Sequence, residues 1–297
     1  MTFTYHFAPL EDTSDVALRE LCWRHGADVT YTEMARTDSL ARKNKSTIEK
    51  TNMTGEAPAW IQITPAKDQS IKRYMTEFSK TDAANNKHFL GFNFNLGCPS
   101  PHLIRDGLGC AMVKRVSKTQ KMVQIVRDAG FPVSLKIRLG LNKLEKERKV
   151  YRNLIDAVDA DLIIVHGRVG SDTYATPADY EALAECAELG KQLGKQIIAN
   201  GDVHTTEQVK QLKAMGCAGV MIGRAAVFDP AIFNRLKGEA SATSPTMPEL
   251  LAEYHELCAK FPAAPKYRKN VEKRLGRPVT TIAELWNGNG EQDSVMG

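Results

Sequence analysis

No stretch of this 297-residue chain resembles a membrane span. Apolar runs such as Leu162-Ile163-Ile164-Val165 and Gly219-Val220-Met221-Ile222 fall far short of the ~20 residues a helix needs to cross a bilayer. The start, Met1-Thr2-Phe3-Thr4-Tyr5-His6, has no basic segment followed by an apolar one, so secretion is not expected. The six cysteines (22, 98, 110, 186, 217 and 258) form no CxxC pair and no metal-ligand spacing. A reduced cytoplasmic protein without structural zinc is the expectation, with no membrane and no metal as partners. Nor does a Gly-x-Gly-x-x-Gly follow the first strand, so a Rossmann dinucleotide domain is unsupported.

What is present is ordinary globular material, 42% hydrophobic and 25% charged, and its length allows one large barrel or two ordinary domains. Strands are expected at 4–9, 29–32, 59–64, 89–95, 133–138, 162–166, 196–200 and 218–222. Helical patterning lies between them near 14–25, 36–44, 68–80, 110–129, 145–158, 179–193, 205–214 and 224–237. The strands read as continuous rather than alternating apolar segments. Eight strand–helix units of that kind point to a parallel sheet buried on both faces, a (β/α)8 TIM barrel of class α/β. A doubly wound sheet would need fewer strands or a clear break.

The barrel is placed at 1–238, followed by a small-residue linker and a helical appendage at 246–287, with 288–297 disordered. Within the appendage a helix is expected at 248–261 and a short segment at 281–286. Between Lys260 and Arg277 seven basic residues face the single acid Glu272, a one-sided charge that suits a polyanion. The other basic cluster, Lys143, Lys146, Arg148, Lys149 and Arg152, is interleaved with Glu145 and Glu147 and reads as a solvated helix face with i,i+4 pairs.

The most informative stretch is Asn95-Leu96-Gly97-Cys98-Pro99-Ser100, which ends a β-type run and leads into Asp106-Gly107-Leu108-Gly109-Cys110. A cysteine held between Gly and Pro at a strand end is expected to carry its thiol near the loop surface. It is either a functional thiol or a small turn residue. Cys110 reads as packing, and Cys22, Cys186, Cys217 and Cys258 as core.

In a barrel, chemistry gathers at the C-terminal strand ends. Here those ends read Ala8-Pro9-Leu10, Thr32-Glu33-Met34, Gln62, Asn95 with Cys98, Lys136 with Arg138, His166 with Arg168, Asn200-Gly201-Asp202, and Gly223-Arg224. Singly, Lys136 could merely snorkel to the mouth and His166 could be a core histidine; eight polar ends in succession are hard to assign to packing. The last two suit a phosphate, with glycines for close backbone approach and Arg224 as a planar fork. Lys136 and Gln62 are the right groups for the polar edge of a flavin.

In order and spacing, these elements resemble the tRNA-dihydrouridine synthase family of FMN-binding barrel enzymes. The match spans 8–230 and includes Tyr31-Thr32-Glu33-Met34, Leu135-Lys136-Ile137-Arg138-Leu139-Gly140 and His166-Gly167-Arg168. The resemblance implies FMN-dependent reduction of the C5=C6 bond of uridines in tRNA. Reduced FMN would deliver hydride to C6, Cys98 would protonate C5, and NADPH would re-reduce the flavin. It further implies that Ala8, Pro9, Leu10, Gln62, Lys136, His166, Asn200, Gly201, Asp202, Gly223 and Arg224 bind the cofactor. Asn95, Arg138 and Arg168 would meet the base, and Lys266, Arg268, Lys269, Lys273 and Arg274 the RNA. A monomer is expected.

The chain departs from the family pattern after His166, where a second Arg, a Gln and a Gly are missing from 168–176. Two other readings compete. One is an FMN barrel acting on a free pyrimidine, as a dihydroorotate dehydrogenase does; the other is a barrel that binds RNA without turnover.

Overall fold

The computed structural model describes residues 2–238 and 245–277. Nine parallel strands make one sheet: β1 Thr4–Phe7, β2 Thr30–Tyr31, β3 Ala35–Arg36, β4 Ala59–Thr64, β5 Phe89–Leu96, β6 Val133–Arg138, β7 Leu162–His166, β8 Gln196–Asn200 and β9 Gly219–Ile222. Their order is β1-β9-β8-β7-β6-β5-β4-β2, with the short β3 paired to the end of β4. A bridge from His6 to Val29 and the bond from Phe7 N–H to Val29 C=O (2.8 Å) bring β1 back against β2, so the sheet closes into an eight-stranded barrel.

Period-2 alternation divides each strand between two environments. Along β6, Val133, Leu135 and Ile137 face outward into the main core shared with the helices, while Ser134, Lys136 and Arg138 turn into the barrel. The apolar part of the interior is a small separate cluster of Ala8, Tyr31, Trp60, Ile164, Ile198 and Met221. The upper interior is polar, and that polarity is where the sheet carries chemistry.

Four barrel strands have the expected bounds, and the other four differ by one or two residues at an end. Three expected helices are interrupted. Segment 110–129 begins as a 3-10 turn, Gly109–Met112, and becomes helical only at Val116–Asp128. Segment 145–158 is split into Lys143–Glu147 and Val150–Ala157 by Lys149, whose φ is +51°. Segment 224–237 breaks into Arg224–Phe228 and Ile232–Lys237 at Asp229-Pro230. Proline lacks an N–H and pushes the residue before it out of the helical region, and Asp229 has ψ 91°.

The interleaved basic cluster does not pair along its own helix. Lys146 reaches Asp179 (2.5 Å), and Lys149 (2.8 Å) and Arg152 (3.7 Å) both reach Glu185 on the neighbouring helix Tyr180–Leu193. These acidic partners lie some thirty residues away in sequence, which local spacing could not anticipate.

Beyond the barrel, helices Met247–Lys260 and Pro265–Glu272 pack back on it. Leu250, Tyr254, Leu257, Val271 and Leu275 join the main core. Glu253 ties to Arg24 (3.1 Å) and His25 (2.7 Å), and Gly276 N–H donates to Phe228 C=O (3.0 Å). The expected segment at 281–286, most of the linker and the tail 288–297 lie outside the described residues. Among the described residues no helix is long and apolar enough to cross a membrane.

Candidate active site

At the C-terminal ends of β1 and β6–β9 lies a cleft with a cavity volume of about 60 Å³, lined among others by Ala8, Pro9, Leu10, Lys136, His166, Arg168, Asn200, Gly201, Asp202, Gly223 and Arg224. Eleven positions singled out from sequence therefore meet in one place. Strand register explains part of it: Arg138 lies opposite His166 and His166 opposite Asn200, so one row crosses three strands.

The cleft is rich in donors. Lys136, Arg168 and Arg224 line it, Arg138 lies close by, and Asp202 is the sole carboxylate of the lining. Asp202 sits at φ +56° after Gly201 at φ +121°, a kink that brings its carboxylate between two arginines. It accepts from Arg168 Nη2 (2.6 Å), Arg224 Nη2 (3.3 Å) and the Ala178 amide (2.9 Å).

His166 receives a hydrogen bond from Arg168 Nη1 at its Nε2 (3.2 Å). A guanidinium only donates, so Nε2 is the bare nitrogen and the proton resides on Nδ1. Burial, reinforced by Arg138, Lys136, Arg168 and Arg224, holds the ring well below the ordinary histidine range, so it is neutral. Its Nδ1 and the Nε of Arg138 are buried donors without a partner. Such groups cost free energy until an acceptor meets them. The site thus fits an electron-rich, anionic ligand bearing several acceptor atoms.

Burial and the neighbouring Arg138 lower the Lys136 ammonium to about 7, with Cys98 opposing. Between that value and its unfolded pKa of 10.5 the unfolded chain holds a proton the folded chain does not, so stability rises with pH. The apoprotein should gain up to ~1.4 kcal/mol per pH unit between about pH 7 and 8.5. Thermal or urea unfolding at several pH values checks this, and Lys136→Met should flatten the dependence.

Cys98 departs from expectation. Its thiol is 1% exposed rather than near the loop surface, enclosed by Leu103 and Leu108 with Met34 and Ala66. The glycine-punctuated segment folds back over it: Cys110 N–H donates to Cys98 C=O (3.0 Å). Gly109, at φ +57°, permits this approach, since a Cβ there would lie 2.3 Å from that carbonyl oxygen. Burial raises the thiol above its ordinary pKa against the opposing Ser100 amide, Arg138 and Lys136, so it is protonated at neutral pH.

Gln62 and Asn95 are fully buried and bonded to each other, Asn95 Nδ2 donating to Gln62 Oε1 (2.9 Å). Asn95 Oδ1 is already used, accepting the N–H groups of Gly97 (3.1 Å) and Cys98 (3.0 Å). Arg138 and Arg168 are occupied in a way the sequence did not show. Arg138 Nη1 donates to Val169 C=O (2.7 Å), while Arg168 donates to Thr176 C=O (2.6 Å) and Tyr174 C=O (3.4 Å). The loop after β7 is therefore gripped by its carbonyls. Tyr174, missed from sequence, lies in that loop with the Arg224 guanidinium 3.7 Å from its ring centroid. The only sequence signal for it was an aromatic residue eight positions after His166.

Cys22, Cys110, Cys186 and Cys217 are buried as expected, whereas Cys258 is half-buried. Of the tail's basic residues, Lys266 reaches the loop that follows β1. Lys266 pairs with Asp12 (2.5 Å) and Asn270 donates to Asp12 C=O (2.9 Å), just after Ala8-Pro9-Leu10. Arg268 pairs with Glu272 (2.7 Å), Arg274 donates to Asn270 C=O (2.9 Å), and Lys269 and Lys273 are exposed on the same segment.

A family model described as "Dihydrouridine synthase (Dus)" matches residues 6–292. This chain belongs to the dihydrouridine synthase family. Its relatives include a probable tRNA-dihydrouridine synthase of Helicobacter pylori, 29% identical over 262 residues that cover 86% of this chain and 76% of that protein. Another probable tRNA-dihydrouridine synthase, from Rhizobium leguminosarum bv. phaseoli, is 26% identical and spans 97% of this chain and 89% of its own. The tRNA-dihydrouridine synthase B of Pseudomonas syringae pv. tomato is 28% identical, covering 82% of this chain and 70% of its own. Among solved structures, a mutant of morphinone reductase in complex with tetrahydroNAD superposes with TM-score 0.53 at 9% identity, over 80% of this chain and 87% of that one. At that identity the likeness speaks for the barrel alone.

Proposed function

We propose that this dihydrouridine synthase is an FMN-dependent oxidoreductase that reduces the C5=C6 bond of uridines in tRNA, with NADPH as the ultimate reductant. Bound in the cleft, reduced FMN would supply the hydride that C6 receives. Gly201, Gly223 and Arg224 would hold its phosphate, and Lys136, His166 and Gln62 the polar edge of its ring. The observation that supports the reading is the pair of buried, unpartnered donors His166 Nδ1 and Arg138 Nε at a cleft lined by cations, with a thiol nearby kept protonated by burial.

A proton donor to carbon must hold its proton until the base arrives. The raised pKa of Cys98 serves that need, and the enclosure by Leu103 and Leu108 keeps bulk water from competing. Arg138 Nε and the remaining N–H of Asn95 are donors suited to the carbonyl oxygens of a uracil. The target base would be unstacked from the RNA to reach them.

The direct test is incubation of the purified protein with unmodified tRNA, FMN and NADPH, followed by mass spectrometry of the nucleosides. Turnover of free orotate or uracil without any of RNA would instead establish an enzyme of free pyrimidines.

The tail's charge and the reach of Lys266 to the loop that follows β1 support a role in holding the RNA. The double variant Arg268→Glu and Lys269→Glu should weaken tRNA binding about tenfold or more at low salt and lessen the salt dependence of affinity. NADPH-driven flavin reduction should be unchanged. Titrations at two salt concentrations check this, and unaltered RNA affinity would remove the tail from RNA recognition.

A further inference from the structure

Four buried polar side chains on three adjacent strands form one hydrogen-bonded row beneath the cleft. The N–H groups of Cys98 (3.0 Å) and Gly97 (3.1 Å) donate to Asn95 Oδ1. Asn95 Nδ2 donates to Gln62 Oε1 (2.9 Å), Gln62 Nε2 to Asn93 Oδ1 (2.8 Å), and Asn93 Nδ2 to Ser134 Oγ (2.9 Å). The strands bring the lower members level, with Gln62 opposite Asn93 and Asn93 opposite Ser134.

Every bond in the row points the same way. A backbone N–H can only donate, so the cysteine loop fixes which end of the Asn95 amide is oxygen. That choice then fixes Gln62, and Gln62 fixes Asn93. Bonds arranged head to tail polarise one another, so the row acts as a unit. Each amide nitrogen carries two hydrogens and spends one within the row. What Gln62 and Asn95 have left on their nitrogens for a ligand is therefore N–H.

We propose that Asn93 and Ser134, the members of the row farthest from the Cys98 loop, are positioning residues. They anchor the far end of this row, so that Gln62 and Asn95 present N–H groups to acceptor atoms of the flavin and the uracil, and the Cys98 loop is held from below. The flavin part of this inference rests on the function proposed above; the loop part does not.

Asn93→Leu removes the acceptor facing Gln62 Nε2 while nearly preserving volume. FMN should then bind about tenfold more weakly, as an orphaned donor implies. Iodoacetamide should label Cys98 in the flavin-free protein about threefold faster or more, read on the Cys98 peptide by mass spectrometry. Asn93→Asp retains an acceptor for Gln62 and can still bond the Ser134 hydroxyl, so both readouts should return to within about twofold of the parent. Ser134→Ala, a single hydroxyl deleted, should move both readouts the same way by a smaller factor, and it serves if the leucine variant does not fold. A lowered melting temperature with unchanged FMN affinity and labelling would reduce the row to ordinary packing and overturn the inference. Equal damage from aspartate and leucine would do the same. Failure of the parent protein to bind FMN would sink the proposed function instead, leaving the labelling rates to decide the row.

Discussion

Cys98→Ala should lower dihydrouridine formation by about 10²–10⁴-fold, the range over which a positioned general acid contributes, while FMN stays bound. The two effects separate because the thiol does not line the cleft where the cofactor residues gather. Its own surroundings are Leu103 and Leu108, with which an alanine packs nearly as well. The loop itself is held by backbone groups, through Asn95 Oδ1 and the bond from Cys110 N–H, so removing the sulfur leaves its path intact. Nucleoside mass spectrometry and the visible flavin spectrum of the same preparation test both halves. Loss of colour together with activity would give the thiol a structural role only.

Arg224→Ala should abolish the distinction between FMN and riboflavin. In the parent, the guanidinium is 12% exposed, with Asp202 at 3.3 Å and the Tyr174 ring stacked over it. A phosphate reaching it would make charge-assisted hydrogen bonds worth ~1.5–3 kcal/mol, or about 10–150-fold in affinity. FMN binding should weaken by that factor in the variant while riboflavin binding changes little. Fluorescence titration with the two flavins decides it. Equal weakening of both would show that Arg224 supports the cleft without contacting a phosphate.

Much of this arrangement was legible in the chain because parallel barrel strands are buried on both faces and end at the functional rim. Ala59–Thr64 and Val133–Arg138 were bounded correctly from apolar runs; of the polar residues towards their ends Lys136 lines the cleft, while Gln62 and Arg138 lie outside its lining. The row through Asn93 and Ser134 also left a trace, since polar residues two apart along β5 and β6 share a face. What escaped depended on contacts distant in sequence. The closure of Leu103 and Leu108 over Cys98, the capture of Asn95 Oδ1 by the cysteine loop, and the reach of Lys149 to Glu185 are set by how elements pack. Asp229-Pro230 is a different case: its helix-breaking chemistry was visible, but the apolar pattern on either side ran through it.

The grip on the segment from Val169 to Thr176 has a practical consequence. Both arginines seize main-chain oxygens, and that part of the hold does not depend on the segment's side chains, whereas Asp172 Oδ2, accepting from the Val169 N–H (2.8 Å), and the Tyr174 ring beside Arg224 hold it through theirs. Exchange should therefore be tolerated at exposed Ser171 and Ala175 but not at Gly170, where a Cβ would lie 2.6 Å from Cys110 Sγ, while Cys98 follows a different strand. The rim of the cleft can thus vary at a few outward positions without disturbing the loop that carries Cys98.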